Sequence, residues 1–468
     1  MVFKSLSEDH KSRIRRIIGS DFVSSSNEEL ERAGRDETED LLFKPEIVVK
    51  PQNTDQVSVL LKYCNEQLIP VTPRGAGTGL SGGALPIMGG VSLDMSLFND
   101  IIDIDERNLQ ATVEPGVITQ VFQEAVKEKG LFYPPDPSSK GSCFLGGNLA
   151  ESAGGPRAVK YGTTKDYVLN MQVVLPNGDV IWTGANVLKN ATGYNLTQLM
   201  VGSEGTLGVI TKVVFRLIPH PKTDLLLLVS FNSVRKACEA VSAVFREGIA
   251  PSALEFMERE CIVWGNKYNE LNFDLADDVE GFLLIEVDGD NEDVLFKDCE
   301  RISDVMYRFD CTDILFADST KQKEKLWKMR RGVAEAVKAN SIYKEEDTVV
   351  PRAELPELLV GIKKIGKEFG FKSVCYGHAG DGNLHVNIVK GDMSQSDWEN
   401  KLPLGIEKIF LLVKRLGGTI SGEHGIGMVQ KAYMPIMFSV TVLELMKAIK
   451  KVFDPNGILN PGKIFPDS

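Results

Sequence analysis

Between residues 73 and 90 the chain reads PRGAGTGLSGGALPIMGG, with glycines at 75, 77, 79, 82, 83, 89 and 90. Each glycine inside a helix costs about 1 kcal/mol relative to alanine, so the stretch does not continue as one. That excludes the dinucleotide fold which Gly75-Ala76-Gly77 imitates, because there the glycine turn must open a helix whose N-terminus meets a pyrophosphate. Asp94 has the place of an acidic ribose ligand, but no crossover helix precedes it. What remains is a broad loop between apolar strands, presenting backbone N–H groups with few side chains in front of them, a form suited to cradling phosphates. A solvated surface loop is the plain alternative. Arg74 and Thr78 inside the loop, and hydrophobic strands on either side, weigh against it.

A chain of 468 residues divides into two or three domains, and 43% hydrophobic with 25% charged residues is an ordinary globular composition. The net charge of −12 counts against a nucleic-acid-binding surface. Seven scattered cysteines without a CxxC exclude a cysteine-ligated iron–sulfur cluster of the usual spacing and point to reduced thiols. The stretch MVFKSLSEDHKSRIRR lacks the apolar core of a secretory signal, and the longest aliphatic run, 225–229, is too short to span a bilayer. A cytoplasmic protein is expected, with peripheral membrane contact left open.

Residue patterning predicts a polar helical lead-in over the first 45 or so residues. It then predicts strands at 46–50, 70–73, 91–95, 101–104, 111–113, 171–175 and 209–217, with helices from 54 and over 118–129. The stretch 134–168 is rich in Gly, Pro and Ser and reads as a long functional loop. Pro219-His220-Pro221 marks a boundary. Beyond it the order βαββαβ (225–231, 234–247, 254–257, 282–287, 292–308, 313–316) reads as a ferredoxin-like sheet with helices on one face. Long helices follow at 320–339, 355–369 and 397–416.

The second half centres on HAGDGNLHVN, 378–387. If Asp381-Gly382 forms a two-residue hairpin turn, counting outward sets His378 opposite His385, with side chains about 4.5–5.5 Å apart at Cβ. Leu384, Val386 and Ile388 then take one face, His385 and Asn387 the other. Three of the chain's five histidines fall between 378 and 424, the third in SGEHGIG beside Glu423. Two imidazoles and a carboxylate suit a divalent cation that keeps positions open for a substrate.

Taken together, PRGAGTGLSGG, PPDPSS, GGNLAESAGGPRAVKYGTTKDYV and GSEGTLGVIT resemble the FAD-binding half of the vanillyl-alcohol-oxidase/PCMH flavoproteins. With HAGDGNLHVN, SGEHGIG and FDPNGILNPGKIF added, the chain is similar over nearly its whole length to one group of them. That group holds the glycolate oxidase catalytic subunit, D-lactate dehydrogenase and D-2-hydroxyglutarate dehydrogenase. The resemblance implies an α+β protein in three parts. These are a PCMH-type FAD-binding domain of two subdomains (1–219), a ferredoxin-like cap or substrate domain with a metal site (220–425), and a segment (426–468) returning to the FAD domain.

The same resemblance implies that Arg74, Gly75, Ala76, Gly77, Thr78, Gly79, Ser81 and Gly82 wrap the FAD pyrophosphate. Further flavin contacts are implied for Pro135, Asp136, Ser138, Gly141, Ser142, Gly146, Asn148, Gly154, Gly155, Glu204, Gly205, Ile210 and Asn460. Neither His nor Cys occurs between 70 and 90, so the FAD is expected to be non-covalent. It implies a divalent metal on His378, His385 and Glu423, zinc first with manganese or iron(II) as alternatives. His424 is the implied general base, and Arg330, Asn387 and Lys344 the substrate-binding residues; Asp347 and Arg352 are further pocket candidates. The expected reaction is oxidation of a D-2-hydroxy acid such as D-lactate to the 2-oxo acid. Electrons pass on to an electron-transfer flavoprotein, a quinone or an iron–sulfur partner subunit. Glycolate or D-2-hydroxyglutarate as substrate, O2 as acceptor, a homodimer, a metallohydrolase and a non-catalytic binding protein stay open at this point.

Overall fold

The computed structural model describes residues 3–38, 41–271, 273, 275–317 and 319–467. Positions 1–2 and 39–40 of the expected lead-in lie outside these. The chain forms two compact units, one of residues 1–154, 163–220 and 423–468, the other of 155–162 and 221–422. Both are mixed α+β.

The first unit begins with β1 (Val23–Ser24), β2 (Ile47–Val49), β3 (Val71–Arg74) and β4 (Val91–Asp94), in the order β1-β2-β4-β3. β2, β4 and β3 run parallel and β1 antiparallel. Parallel strands are covered on both faces, and β2 and β4 are buried along their whole length. Helix Thr54–Gln67, capped by Asn53 Oδ1 accepting from Gln56 N, packs Val57, Leu60, Leu61 and Cys64 into the same core, as their spacing predicts. Residues 75–90 form no helix.

Seven strands follow: β5 (Ile101–Asp105), β6 (Gln110–Val113), β7 (Leu131–Phe132), β8 (Val168–Val174), β9 (Val180–Trp182), β10 (Val209–Arg216) and β11 (Ile218–Pro219). Five make an antiparallel sheet in the order β5-β6-β10-β8-β9, while β7 and β11 pair with each other. Between β7 and β8 the expected long loop contains short helices, Leu145–Glu151 and Ala158–Tyr161, so it is less irregular than its composition suggests.

In the second unit β12 (Thr223–Phe231), β13 (Ala253–Glu258), β14 (Gly281–Gly289), β15 (Cys311–Ala317), β16 (Tyr343–Val349), β17 (Lys372–Gly377) and β18 (Asn383–Val389) build one sheet, β15-β12-β14-β13-β17-β18-β16. Its first four strands have the ferredoxin-like order, and the later hairpin and edge strand extend it. Helices cover both faces, not one. Arg259–Asn269, Thr320–Arg331 and Val333–Asn340 pack with Met257, Leu284 and Tyr376 on one side. Helix Val234–Arg246 meets Gly281 and packs beside Phe256 on the other. The expected 320–339 helix breaks at Gly332, where Asn269 leaves no room for a Cβ. The expected 397–416 helix is two, Gln395–Asn400 and Leu402–Arg415, the second opened by Pro403.

Candidate active site

The β17–β18 hairpin adopts another register than the expected one. Tyr376, not His378, lies opposite His385. The I′ turn needs positive φ at both central residues. Gly382 has φ +89° but Asp381 is not left-handed. Instead the N–H groups of Gly382 and Asn383 both donate to the His378 carbonyl at 3.2 Å, closing a longer loop. Gly382 is held by its contact with Val350, whose N–H donates to its carbonyl at 3.1 Å and whose carbonyl leaves no space for a Cβ. His378 therefore leaves the ladder. Its ring nevertheless meets that of His385, centroids 5.5 Å apart and planes at 85°.

Carboxylates lie beside both rings, and Glu255 orients the first by hydrogen bonds. His378 Nδ1 is 2.9 Å from each oxygen of Glu255, a fully buried residue in the middle of β13. His385 Nδ1 is 3.2 Å from Glu345 Oε1 and 3.9 Å from Asp347 Oδ1. An imidazole whose Nδ1 is bonded as in His378 offers Nε2 as donor to a cation, and with the His385 ring beside it the pair fits a divalent metal. Arg330, buried on helix Thr320–Arg331, places Nη2 2.6 Å from Glu255 Oε2 and lies over the Tyr376 ring at 4.9 Å. Neither its Nε nor its Nη2 makes a hydrogen bond among the described residues, so its contact with Glu255 is one of charge. Burial alone raises the Glu255 pKa, but the charges of His378 and Arg330 hold it below the usual carboxylate range. Asn387 is fully buried beside the Tyr376 hydroxyl, on the face of His385.

Asp347 ties SGEHGIG to this unit: its Oδ2 accepts from Ser421 Oγ at 3.0 Å and Gly422 N at 2.7 Å. Glu423 and His424 follow directly in the chain and belong to the first unit. There Glu423 Oε2 accepts from Gly154 N at 3.2 Å. Glu204, buried and at φ +50°, accepts from Ile426 N at 2.8 Å and Gly427 N at 2.6 Å. Gly425 (φ +77°) packs against Glu151, and burial followed by repulsion from Glu204 pushes the Glu151 carboxyl upward.

The phosphate-cradle expectation can be tested within the first unit. Among the described residues, the N–H groups of residues 76–81 donate no hydrogen bond. Gly77 and Gly82 have φ +76° and +74°, no atom lies within 4 Å of the Cβ position of Gly79, and the buried Ser81 Oγ has no partner among the described residues. Successive free N–H groups around an open space fit an anion such as a pyrophosphate. The Arg74 guanidinium folds over the start of this loop against Gly77, where a Cβ would make it shift.

Several expected site residues make contacts within the protein. Lys344 pairs across the strands with Ile388, whereas Glu345 and Asp347 pair with Asn387 and His385. Opposed residues share a face, so Lys344 points away from the histidines. Asn148 Nδ2 donates to Thr119 Oγ1 at 2.7 Å, and Gly146 is pressed against Pro115. Asn460 Nδ2 bridges the carbonyls of Gly83 and Glu204, both at 2.8 Å. Asn148, Asn460 and the Glu204 carboxylate thus brace neighbouring loops. Arg352 stacks on Phe245 at 3.8 Å. Gly155 belongs to the second unit, where the segment 155–162 is anchored by Tyr161 Oη donating to Asp288 Oδ2 at 2.8 Å. Sequence reasoning missed Glu255; its signal was a lone acid inside the apolar run Ala253–Met257.

The chain matches the family model "FAD linked oxidases, C-terminal domain" over residues 220–464 and "FAD binding domain" over 45–184. It is 38% identical to the glycolate oxidase subunit GlcD of Bacillus subtilis (strain 168), covering 98% of this chain and 97% of that one. It is 39% identical to a D-lactate dehydrogenase of Anaerostipes hadrus, covering 90% of each. With a D-2-hydroxyglutarate dehydrogenase of Stutzerimonas stutzeri it shares 33%, over 95% of this chain and 96% of that one. The fold matches p-cresol methylhydroxylase with TM-score 0.82 over 100% of this chain and 99% of that one, at 18% identity. No helix among the described residues is long and apolar enough to cross a membrane.

Proposed function

The chain belongs to the FAD-linked oxidase family and is an oxidoreductase with an FAD-binding domain; within that family we propose that it is a metal-assisted dehydrogenase of D-2-hydroxy acids, D-lactate first. The observation that carries this reading is the His378–His385 pair, the first ring oriented by Glu255 and the second flanked by Glu345, beside a buried arginine. A metallohydrolase would use such a pair but leave the open N–H loop at 76–81 without a role. Relatives named for glycolate and D-2-hydroxyglutarate keep those acids as the competing substrates.

Bound FAD supplies the hydride acceptor, and a divalent cation on His378, His385 and Glu423 supplies a Lewis acid for the substrate oxygen. The residues of the chain do the rest. Arg330 receives the substrate carboxylate, for which a guanidinium fork is matched. His424 takes the hydroxyl proton on an imidazole nitrogen as the Cα–H bond breaks. The turn that follows it is held within the first unit by Glu204 through Ile426 and Gly427, which preorganises the base. Asn387 orients substrate and flavin. Residues 74–79, 81 and 82 would hold the FAD pyrophosphate, and Pro135, Asp136, Ser138, Gly141, Ser142, Gly154, Gly155, Gly205 and Ile210 would contact the rest of the flavin. His220 packs on Phe132 and Cys143 is buried against Thr119, which supports a non-covalent flavin released on denaturation.

An anaerobic screen of 2-hydroxy acids for flavin bleaching tests the reading. D-Lactate should bleach the flavin, chelation should abolish this, and Zn2+ or Mn2+ should restore it. A flavoprotein that no 2-hydroxy acid reduces ends the proposal. Slow reoxidation by O2 supports an external acceptor; rapid reoxidation makes the protein an oxidase.

A further inference from the structure

Glu255 has no part in the chemistry above, yet it touches two of the residues that do. It lies between Leu254 and Phe256 in β13 with none of its surface exposed. Both its oxygens are 2.9 Å from His378 Nδ1, and Oε2 is 2.6 Å from Arg330 Nη2. A buried carboxylate stays in place only if its charge and lone pairs are answered, and here a histidine and an arginine answer them. One turn before Arg330 on the same helix, Trp327 Nε1 donates to the buried Glu286 at 3.0 Å, so the helix is anchored by two carboxylates on adjacent strands. Ser252 and Arg157 hold Glu286 in turn, at 3.0 and 3.3 Å. The position of Arg330 is thereby set by the sheet and not by solvent.

We propose that Glu255 is a positioning residue that couples cation loading to recognition of the substrate carboxylate. It holds Nδ1–H of His378 by hydrogen bonds, which leaves Nε2 free to ligate, and the charge of the same carboxylate draws in the Arg330 guanidinium. Because one anion serves both, disturbing either partner alters what the other binds, and the coupling is reciprocal. The inference rests on the metal and arginine roles proposed above. A purely structural ion pair between helix and sheet would instead affect stability and leave both binding functions alone once the protein folds.

The test uses the FAD-loaded full chain with Glu255→Gln, Glu255→Asp, His378→Asn and Arg330→Lys. Zn2+ retention is read as metal per flavin against a graded chelator, and D-lactate affinity as half-saturation of anaerobic flavin reduction at saturating Zn2+. Glu255→Gln should weaken Zn2+ retention about 10–100-fold and raise half-saturation about tenfold, with flavin content unchanged. His378→Asn should act most strongly on the metal and Arg330→Lys on the substrate, each with a smaller effect on what the other binds. Glu255→Gln that retains Zn2+ like the wild type, or loses Zn2+ with unaltered half-saturation, overturns the coupling. If Glu255→Gln yields no flavoprotein, Glu255→Asp, which keeps the charge but not the reach to both partners, gives the same readings. Failure of both to fold marks Glu255 as structural and overturns the proposal. Unchanged Zn2+ retention in His378→Asn overturns the metal reading itself, and the coupling with it.

Discussion

Two glycine-rich turns meet in the first unit, where Met428 N donates to the Ser81 carbonyl at 2.9 Å, and they use glycine in opposite ways. In the loop at 76–81 the backbone donors have no partner among the described residues, and Gly79 faces empty space. In the turn at 425–427 the donors of Ile426 and Gly427 are already bound to Glu204, and added Cβ atoms would overlap Glu151 or the Ser81 carbonyl. The first loop is glycine-rich so that something else can approach; the second so that the protein can approach itself. Counting glycines does not separate the two, whereas asking where each N–H donates does.

The comparison is open to attack from four sides. If the tight turn exists to hold a base, His424→Ala should slow flavin reduction about 10²–10⁴-fold with FAD still bound, measured by anaerobic stopped flow; normal reduction would leave the turn without a chemical role. Gly427→Ala meets both a left-handed backbone and the Ser81 carbonyl. It should cost about 2–4 kcal/mol of stability, read from denaturant unfolding. Gly79→Ala should do the reverse: flavin-free stability within about 0.5 kcal/mol of wild type, but FAD affinity weakened about tenfold, which is about 1.4 kcal/mol. Equal effects of these two substitutions on folding would erase the distinction.

The smallest effect concerns Lys463, whose Nζ donates to the carbonyls of Gly82 at 2.6 Å and Leu85 at 2.7 Å. Burial lowers its pKa to about 8. Between that value and an unfolded pKa of about 10.4 the unfolded chain holds a proton that the folded chain has released, so stability rises with pH across this window. Below pH 8 both states are charged and the slope vanishes. The gain between pH 8 and 9 should be about 1 kcal/mol and should be missing in Lys463→Met; an identical profile in that variant would show that the lysine does not titrate there.

Much of this was legible in the residues. Helix Leu355–Phe369 falls where its apolar spacing and Gly370 put it, and the βαββαβ order gave the ferredoxin-like strand arrangement. His385 and Asn387 kept their common face although the register of the hairpin differs from the expected one, while His378 meets His385 from the loop beyond the strand. Lys344 did not survive, since in a strand an offset of one residue changes the face. The helices on the second face of the sheet, the segment 155–162 that packs with the second unit, and Glu255 were not predicted. Each depends on which distant elements meet, and tertiary contact of that kind leaves little trace in local periodicity.

One pairing bears on how the protein comes into being. Val71 donates to the Ile458 carbonyl at 2.8 Å and accepts from Asn460 at 2.8 Å, while Lys463 tethers the loop that follows. A ribosome delivers these partners almost 400 residues apart, so the nascent cradle must wait, unfinished, for most of translation. The loop after this strand is therefore completed only by the last residues to be synthesised, and loss of the residues from 458 onward would strip Val71 of both bonds.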